Sequence, residues 1–341
     1  MDRLLVTFCN AVPPGLVAGV FHYETGAFYW VPLPEPLQRV RGATGIGFWQ
    51  GHYWIILQDP RRCRLLELRA DLEPIQDWPL RATDPHSILC LEDSFLISDS
   101  GCNGLWRILW KGRQPAEALF WQYDRACADR VHLNSAAFHE GSLYVSCFGQ
   151  RTDTGWNSAQ DGFVYHVQGL KILVDGLYHP HSLLSFEGAL WWLESKRGRL
   201  HTFSNEEGHR AFLELKGYIR GLAISDRWIY VAASAARRRS RSLGQWTQDV
   251  PKEPELCDSW LYRIDRKTLQ WTRRNLSYYG AELFDLHILA TQETLPLEKN
   301  PSDPVRERIR RLEEECLQSP PTRKKKIRQW LSFLSPHRSR G

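Results

Sequence analysis

Apolar and polar residues alternate in this chain according to a phrase that keeps returning. A polar residue opens it, a short apolar run follows, and a Gly or acidic turn reverses the chain. An aromatic-rich run then ends in Ser ahead of Gly-x-Leu. The fullest copy runs from His181 to Leu200 (HSLLSFEGALWWLESKRGRL), and others begin at Thr44, His86, Asn134 and Arg220. Short alternating runs bounded by turn residues predict strands. A period of roughly 40 to 50 residues holding several such strands predicts a propeller with four-stranded blades. The turns at Asp93, Glu187-Gly188 and Asp226 read as the hairpins between first and second strands.

The phrase also accounts for the N-terminus. Leu4 to Asn10 (LLVTFCN) matches the second strand of the phrase, as in Leu143 to Gly149, but no first strand precedes it. That strand is found near the other end, at Leu283 to Leu289 (LFDLHIL). The chain is therefore predicted to be all-β, a six-bladed propeller closed by a blade shared between the N- and C-terminal segments. Such closure removes the sheet edges that otherwise template aggregation. The propeller is expected over residues 1–295 as one domain, followed at 296–341 by a helical, basic and partly disordered extension.

Composition modifies this picture in a few places. Fifteen Trp, 14 Phe and 12 Tyr are expected to serve blade-to-blade packing. Eight Cys at 9, 63, 90, 102, 127, 147, 257 and 316 form no CxxC pair, so reduced, buried thiols are expected. No apolar run approaches the roughly 20 residues a membrane helix needs, and no secretory leader pattern opens the chain. A cytoplasmic protein is the expectation.

Net charge divides unevenly. Residues 319–341 carry seven basic and no acidic side chains, so the overall charge of +5 leaves −2 for the rest. A near-neutral propeller argues against nucleic acid as a partner. Asp303 as N-cap and Pro304 after it predict a helix to Leu317. In Arg323–Leu334 the residues Ile327, Trp330, Leu331 and Leu334 define an apolar side next to a basic face. That pattern suits an anionic membrane surface, an acidic protein partner or docking on the propeller itself. A second basic run, Arg237–Gly244, and the polar loop Gln150–Gly162 around Trp156 read as excursions over one mouth of the channel.

The first letter of each phrase is where chemistry is expected. First strands of a propeller line its axis, and their ends form the pocket at the channel mouth. Aligning the copies places Thr44, His86, Asn134, His181, Arg220 and Asp285 together, with His132, His179, Glu282 and His287 as neighbours at the same level. Three uses of this ring remain open. His86, Asn134, His181, Glu282 and Asp285 can hold a divalent metal ion. Alternatively Arg220 clamps an anion while His86 or His181 moves a proton, with Thr44, His132, Asn134, Trp156 and His179 as further ligand-binding residues. The third use is a water-filled polar channel whose groups satisfy one another. Ser87, Ser135 and Ser182 follow ring residues directly, so they are expected to turn into the blades. No nucleophile elbow, phosphate-binding glycine loop or zinc-spaced Cys/His set occurs in the sequence.

The segments His181-Ser…Gly188-Ala-Leu-Trp…Ser195-Lys-Arg-Gly-Arg-Leu200, Gly217-Tyr-Ile-Arg-Gly-Leu-Ala223 and Glu282-Leu-Phe-Asp285 resemble a bacterial family of conserved hypothetical β-propeller-like proteins, over about residues 3–291. That resemblance implies the fold and no particular reaction. More distantly the chain is similar to the six-bladed calcium-dependent lactonase and phosphotriesterase superfamily, which implies a metal at the channel mouth on Glu, Asn and Asp. Asn134, Asp285 and Glu282 would stand for those ligands, whereas His86 and His181 put imidazole where that pattern has none. The function expected is a small-molecule site, with a metal-assisted hydrolase or lyase in view. The alternative is a non-enzymatic interaction scaffold docking through its basic amphipathic tail.

Overall fold

The structure is a computed structural model that describes residues 2–11, 14–112, 114–126, 128–151, 155–235, 258–290 and 295–299. The two expected C-terminal helices, the basic tail and the Arg237 loop lie outside the described residues. Six four-stranded antiparallel sheets follow one another around the molecule. Blade 1 comprises Ala43–Trp49, His52–Leu57, Arg64–Leu68 and Pro74–Pro79. Blade 2 comprises Pro85–Cys90, Phe95–Asp99, Gly104–Lys111 and Gln114–Gln122. Blade 3 is built from Leu133–His139, Ser142–Cys147, Gly162–His166 and Lys171–Leu177. Blade 4 uses Pro180–Phe186, Ala189–Glu194, Arg199–Ser204 and Gly208–Glu214, and blade 5 uses Tyr218–Ile224, Trp228–Ser234, Trp260–Asp265 and Trp271–Asn275.

Blade 6 closes the ring as the sequence predicts. Its inner strand, Glu282–Ile288, pairs antiparallel with Arg3–Cys9, outside which lie Ala18–His22 and Phe28–Trp30. Helix is almost absent: a single turn at Pro296–Lys299 and two 3-10 turns, Glu35–Leu37 and Trp156–Ser158, are all that the described residues contain. Leu295 is buried and Leu297 packs beside it against the cluster between blades 6 and 1, so the packed unit continues a few residues past 295. No helix among the described residues is long and apolar enough to cross a membrane.

There is no single core. Buried apolar residues form six clusters, one at each interface between neighbouring blades. Strand alternation produces this division. In Arg3–Cys9 the side chains of Leu4, Val6 and Phe8 enter the cluster with blade 5, while Leu5 enters the one with blade 1. The aromatic load goes where expected: Trp49, Trp54, Trp78, Phe95 and Trp110 pack together between blades 1 and 2. Among the described cysteines, 63, 90 and 147 are free thiols. Burial pushes the Cys63 thiol up to about 12 and Cys90 to about 11, and Cys147 is raised as well, so none is a thiolate at neutral pH.

One irregularity recurs in every blade. The pairing of first and second strand shifts register once near its start: Ala43/Ile46, Pro85/Ser87, Leu133/Ser135, His181/Leu184, Ile219/Leu222 and Leu283/Leu286. A bulge at this point bends the strand and increases its local twist.

Candidate functional site

The shared register sorts the inner-strand residues into two tiers. The lower tier holds Thr44, His86, Asn134, His181, Arg220 and Phe284. Two residues earlier, at or just before the start of each inner strand, lies an upper tier of Gly42, Asp84, His132, His179, Tyr218 and Glu282. His132, His179 and Glu282 therefore stand a tier above the ring instead of level with it. His287 lies elsewhere, its ring 5.5 Å from Tyr53 and 6.1 Å from Phe48 between blades 6 and 1. Burial there lowers its imidazole to about 4.

Asp285 needs a correction of register. The lower-tier place in blade 6 belongs to Phe284, and Asp285 sits one residue further, at the position of Gly45, Ser87, Ser135, Ser182 and Gly221. That position joins blades. Ser135 Oγ accepts from Leu183 N at 3.0 Å, and Asp285 Oδ2 accepts from the equivalent Ile46 N at 2.9 Å. Its other oxygen accepts Leu286 N at 2.9 Å. Burial pushes the Asp285 carboxyl up to about 6, and the two N–H donors only partly offset it. The serines were expected to turn into the blades and bond to backbone, and they do so only in part: Ser182 donates to the Arg220 carbonyl, whereas Ser87 bonds the Ser98 hydroxyl and Ser135 the Ser146 hydroxyl as well as Leu183 N. Thr44 is also a latch, its hydroxyl donating to Pro85 O at 3.0 Å.

Blades 2 and 3 bring titratable groups together. His86 Nε2 lies 3.4 Å from Asp84 Oδ2 and 3.3 Å from Ser100 Oγ, and the Ser100 hydroxyl donates to Asp84 Oδ2 at 2.7 Å. Serine and carboxylate share one ring nitrogen, so His86 cannot relay a proton from one to the other as a nucleophilic triad requires. The His132 ring is 5.0 Å from His86, and its Nδ1 lies 3.1 Å from Asp129 Oδ2. Trp156 Nε1 donates to the same oxygen at 2.8 Å, and its ring is 4.9 Å from His132. Partial desolvation works to raise Asp84. Attraction and hydrogen bonding from His86, the His132 charge and the Ser100 hydroxyl outweigh it and hold the carboxyl well below the usual range.

Across the channel, His181 Nδ1 lies 3.0 Å from the His179 carbonyl and 2.7 Å from Ser195 Oγ. The carbonyl can only accept, so Nδ1 carries the proton and Nε2 the lone pair. Burial, then the Arg220 charge, push His181 well below its ordinary value, against the bond to His179; the ring is neutral at physiological pH. Arg220 Nη2 donates to Ser234 Oγ at 2.7 Å and Glu282 Oε2 at 3.3 Å, with the guanidinium 5.1 Å from the Phe284 ring. His179 Nδ1 lies 2.9 Å from the Tyr218 hydroxyl, and its ring stacks on Phe148 at 4.4 Å.

Four lower-tier side chains have hydrogen-bonding capacity that no described residue uses. His86 Nδ1, Asn134 Nδ2 and Arg220 Nε are buried without a partner, in residues 9%, 2% and 3% exposed, and His181 Nε2 makes no hydrogen bond. The oxygen ligands implied by the calcium-dependent superfamily do not fit a hard cation here. Both Glu282 oxygens are engaged, one by Arg220 and the other by Asn10 Nδ2 at 2.6 Å. Both Asp285 oxygens accept backbone N–H groups, and a guanidinium beside Glu282 repels a cation.

Sequence reasoning missed Asp84, Asp129, Phe148 and the serines that hold the lower tier. The signal for the serines was present: Ser100, Ser195 and Ser234 each lie fourteen residues after the ring residue they bond.

The model of the family described as domain of unknown function (DUF4915) matches residues 122–296. The chain belongs to that family. The matched span includes His132, Asn134, His181 and Arg220, while Thr44, Asp84 and His86 precede it. No curated protein matches the sequence. Among solved structures, the chain is similar to one in a nidogen/laminin complex, with a TM-score of 0.57 at 12% identity over 86% of this chain and 100% of that one. It is similar to regucalcin of Agrobacterium tumefaciens, described as a calcium-binding protein, at 0.51 and 16% over 74% and 83%. It is also similar to the periplasmic gluconolactonase of Pseudomonas aeruginosa, at 0.50 and 13% over 85% and 99%. Identities this low establish the shared six-bladed fold alone.

Proposed function

We propose that this DUF4915 protein binds a small, anionic molecule at the channel mouth and cleaves it as a hydrolase or lyase. The observation that carries this reading is the set of buried lower-tier atoms without a partner, His86 Nδ1, Asn134 Nδ2 and Arg220 Nε, with the lone pair of His181 Nε2 on the same tier. Protein interiors normally satisfy such groups, and leaving one unmade costs about 1–3 kcal/mol. A ligand with acceptors for Arg220 and Asn134 and a proton for His181 Nε2 would recover that energy. Arg220 supplies charge and orientation to a carboxylate, and the neutral His181 supplies a base at physiological pH. The fold shared with a gluconolactonase makes lactones that carry a separate carboxylate, together with sugar acids, the first compounds to try.

The test is thermal denaturation of the purified chain with a panel of lactones and hydroxy acids. A compound at a hundred times its Kd adds about 2.7 kcal/mol of stability, readily seen as a raised midpoint. Arg220→Gln and His181→Ala are expected to lose that rise while keeping their circular dichroism. A panel without a single shift, or shifts that survive both substitutions, would sink the reading.

A further inference from the structure

We propose that Asp84, His86 and His132 form a binding site for a first-row divalent transition-metal ion, supported by Asp129 and Trp156. The proposal rests on the reading of the mouth as a small-molecule site and adds to it the Lewis acid that a hydrolase would use.

Ligand atoms of these three residues lie within 4.8 Å of one another. Bonds of about 2.0–2.2 Å to one metal put adjacent ligand atoms roughly 3–3.5 Å apart. The His86–Asp84 edge at 3.4 Å already meets that spacing, and His132 has on the order of 1 Å to close. The fold makes the group. Asp84 immediately precedes the inner strand of blade 2, on which His86 is the second residue, and His132 immediately precedes the inner strand of blade 3, the counterpart position of Asp84. His132 holds φ at 50°, a left-handed conformation that is strained for a non-glycine residue.

The surroundings are those of a metal ligand. Asp129 Oδ1 and Oδ2 lie 3.2 and 3.1 Å from His132 Nδ1, so Nδ1–H donates outward and Nε2 keeps its lone pair for the site. A carboxylate behind a ligating imidazole fixes tautomer and ring orientation and raises basicity. Asp129 is itself positioned by Trp156 Nε1 at 2.8 Å. Asp84 is held by the Ser100 hydroxyl, and Asp99 accepts the backbone N–H groups of Thr83 and Asp84 at 3.2 and 2.8 Å. Two imidazoles with one carboxylate suit zinc, iron, manganese, cobalt or nickel, whereas calcium prefers six or more oxygens. Three protein ligands also leave positions open for water or substrate.

The test uses the full chain with any affinity tag removed, stripped with EDTA and titrated with Co2+ under absorption spectroscopy and calorimetry. The expected result is one Co2+ per chain with a visible d–d band, displaced by Zn2+ and unaffected by excess Ca2+. His86→Gln and His132→Gln should abolish binding. Asp129→Asn, which keeps size and fold, should weaken it by about 10- to 100-fold; it serves if a histidine variant fails to fold. Wild-type protein that binds no stoichiometric Co2+, or binding unchanged in the histidine and Asp129 variants, overturns the site. The ligand panel is repeated in EDTA and in Zn2+. Cobalt binding with no ligand shift in either medium sustains the metal site and sinks the small-molecule reading, while a shift in EDTA from a chain that binds no Co2+ does the reverse.

Discussion

A residue next to the axis serves either the ring or its neighbour blade, and one step along the strand decides which. Reading the phrase as letters placed Asp285 with His86 and His181 because all three open an apolar run. The register shows that Phe284 has the axial place and that Asp285 joins blade 6 to blade 1. The slip arises because blade 6 has the apolar Phe284 at the place that is polar in the other five blades, and its polar residue stands one position later. Asp84 and Asp129 precede the phrase, outside the strands that alternation marks, so nothing in the pattern singles them out. His86, Asn134, His181 and Arg220 were legible since a polar residue heading an apolar strand has little packing reason to be there. Asp285 also yields a prediction. Its folded-state value, about 6, lies above the ordinary 3.8, so the proton is bound more tightly in the folded chain. Its stability contribution is fully present below about pH 4 and is lost as pH rises through about 6, by at most about 3 kcal/mol. Between pH 4 and 7 an Asp285→Asn variant should therefore lose less stability than wild type in urea titrations. Identical slopes in the two proteins would show that the carboxyl titrates normally.

Elements were the most legible level, since alternation and turn chemistry are local. Glu187 and Gly188 both take left-handed φ, 46° and 71°, as a tight two-residue hairpin requires. Gln50-Gly51 and Glu140-Gly141 repeat the pair in blades 1 and 3. The contacts between inner strands were not legible, because a glycine needed for close approach looks like any other. A Cβ on Gly45 would sit 2.7 Å from Ser87 Cα and 2.9 Å from the His86 carbonyl, both backbone of the next blade. Gly221 meets Asp285 in the same way, at 3.0 Å from its Cα. At Gly188 an added Cβ has open space, so only the backbone conformation resists. Gly188→Ala should cost about 1 kcal/mol, whereas Gly45→Ala must move a strand and should cost roughly 2–3 kcal/mol. Because His86 is carried on the strand that moves, Gly45→Ala should also weaken Co2+ binding, and Gly188→Ala should not. Equal stability losses in denaturant titrations would contradict the close-packed junction.

Closure is a property of the whole molecule, and it was readable only because a second strand without a first is an accounting failure that the far end of the chain repairs. What the sequence did not disclose is how residues 295–299 fasten the closed ring. Glu298, 6% exposed at its side chain, lies 2.8 Å from His22 Nε2 and accepts from Arg3 Nη1 at 3.3 Å, tying the C-terminal turn to the two middle strands of blade 6. It also accepts Leu295 N at 2.9 Å, which fixes the turn that buries Leu295. Removing one partner of a buried ion pair costs about 3–5 kcal/mol, mostly because the other charge loses its compensation. Since each blade packs on two neighbours and none has a core of its own, that loss should be felt by the ring as a unit. Glu298→Ala is expected to lower the calorimetric midpoint by roughly 6 °C while the unfolding remains a single transition. An unchanged midpoint would mean that the turn adds nothing to closure. A split endotherm would mean that blade 6 melts apart from the other five, contrary to a ring whose six interfaces share the stability of the fold.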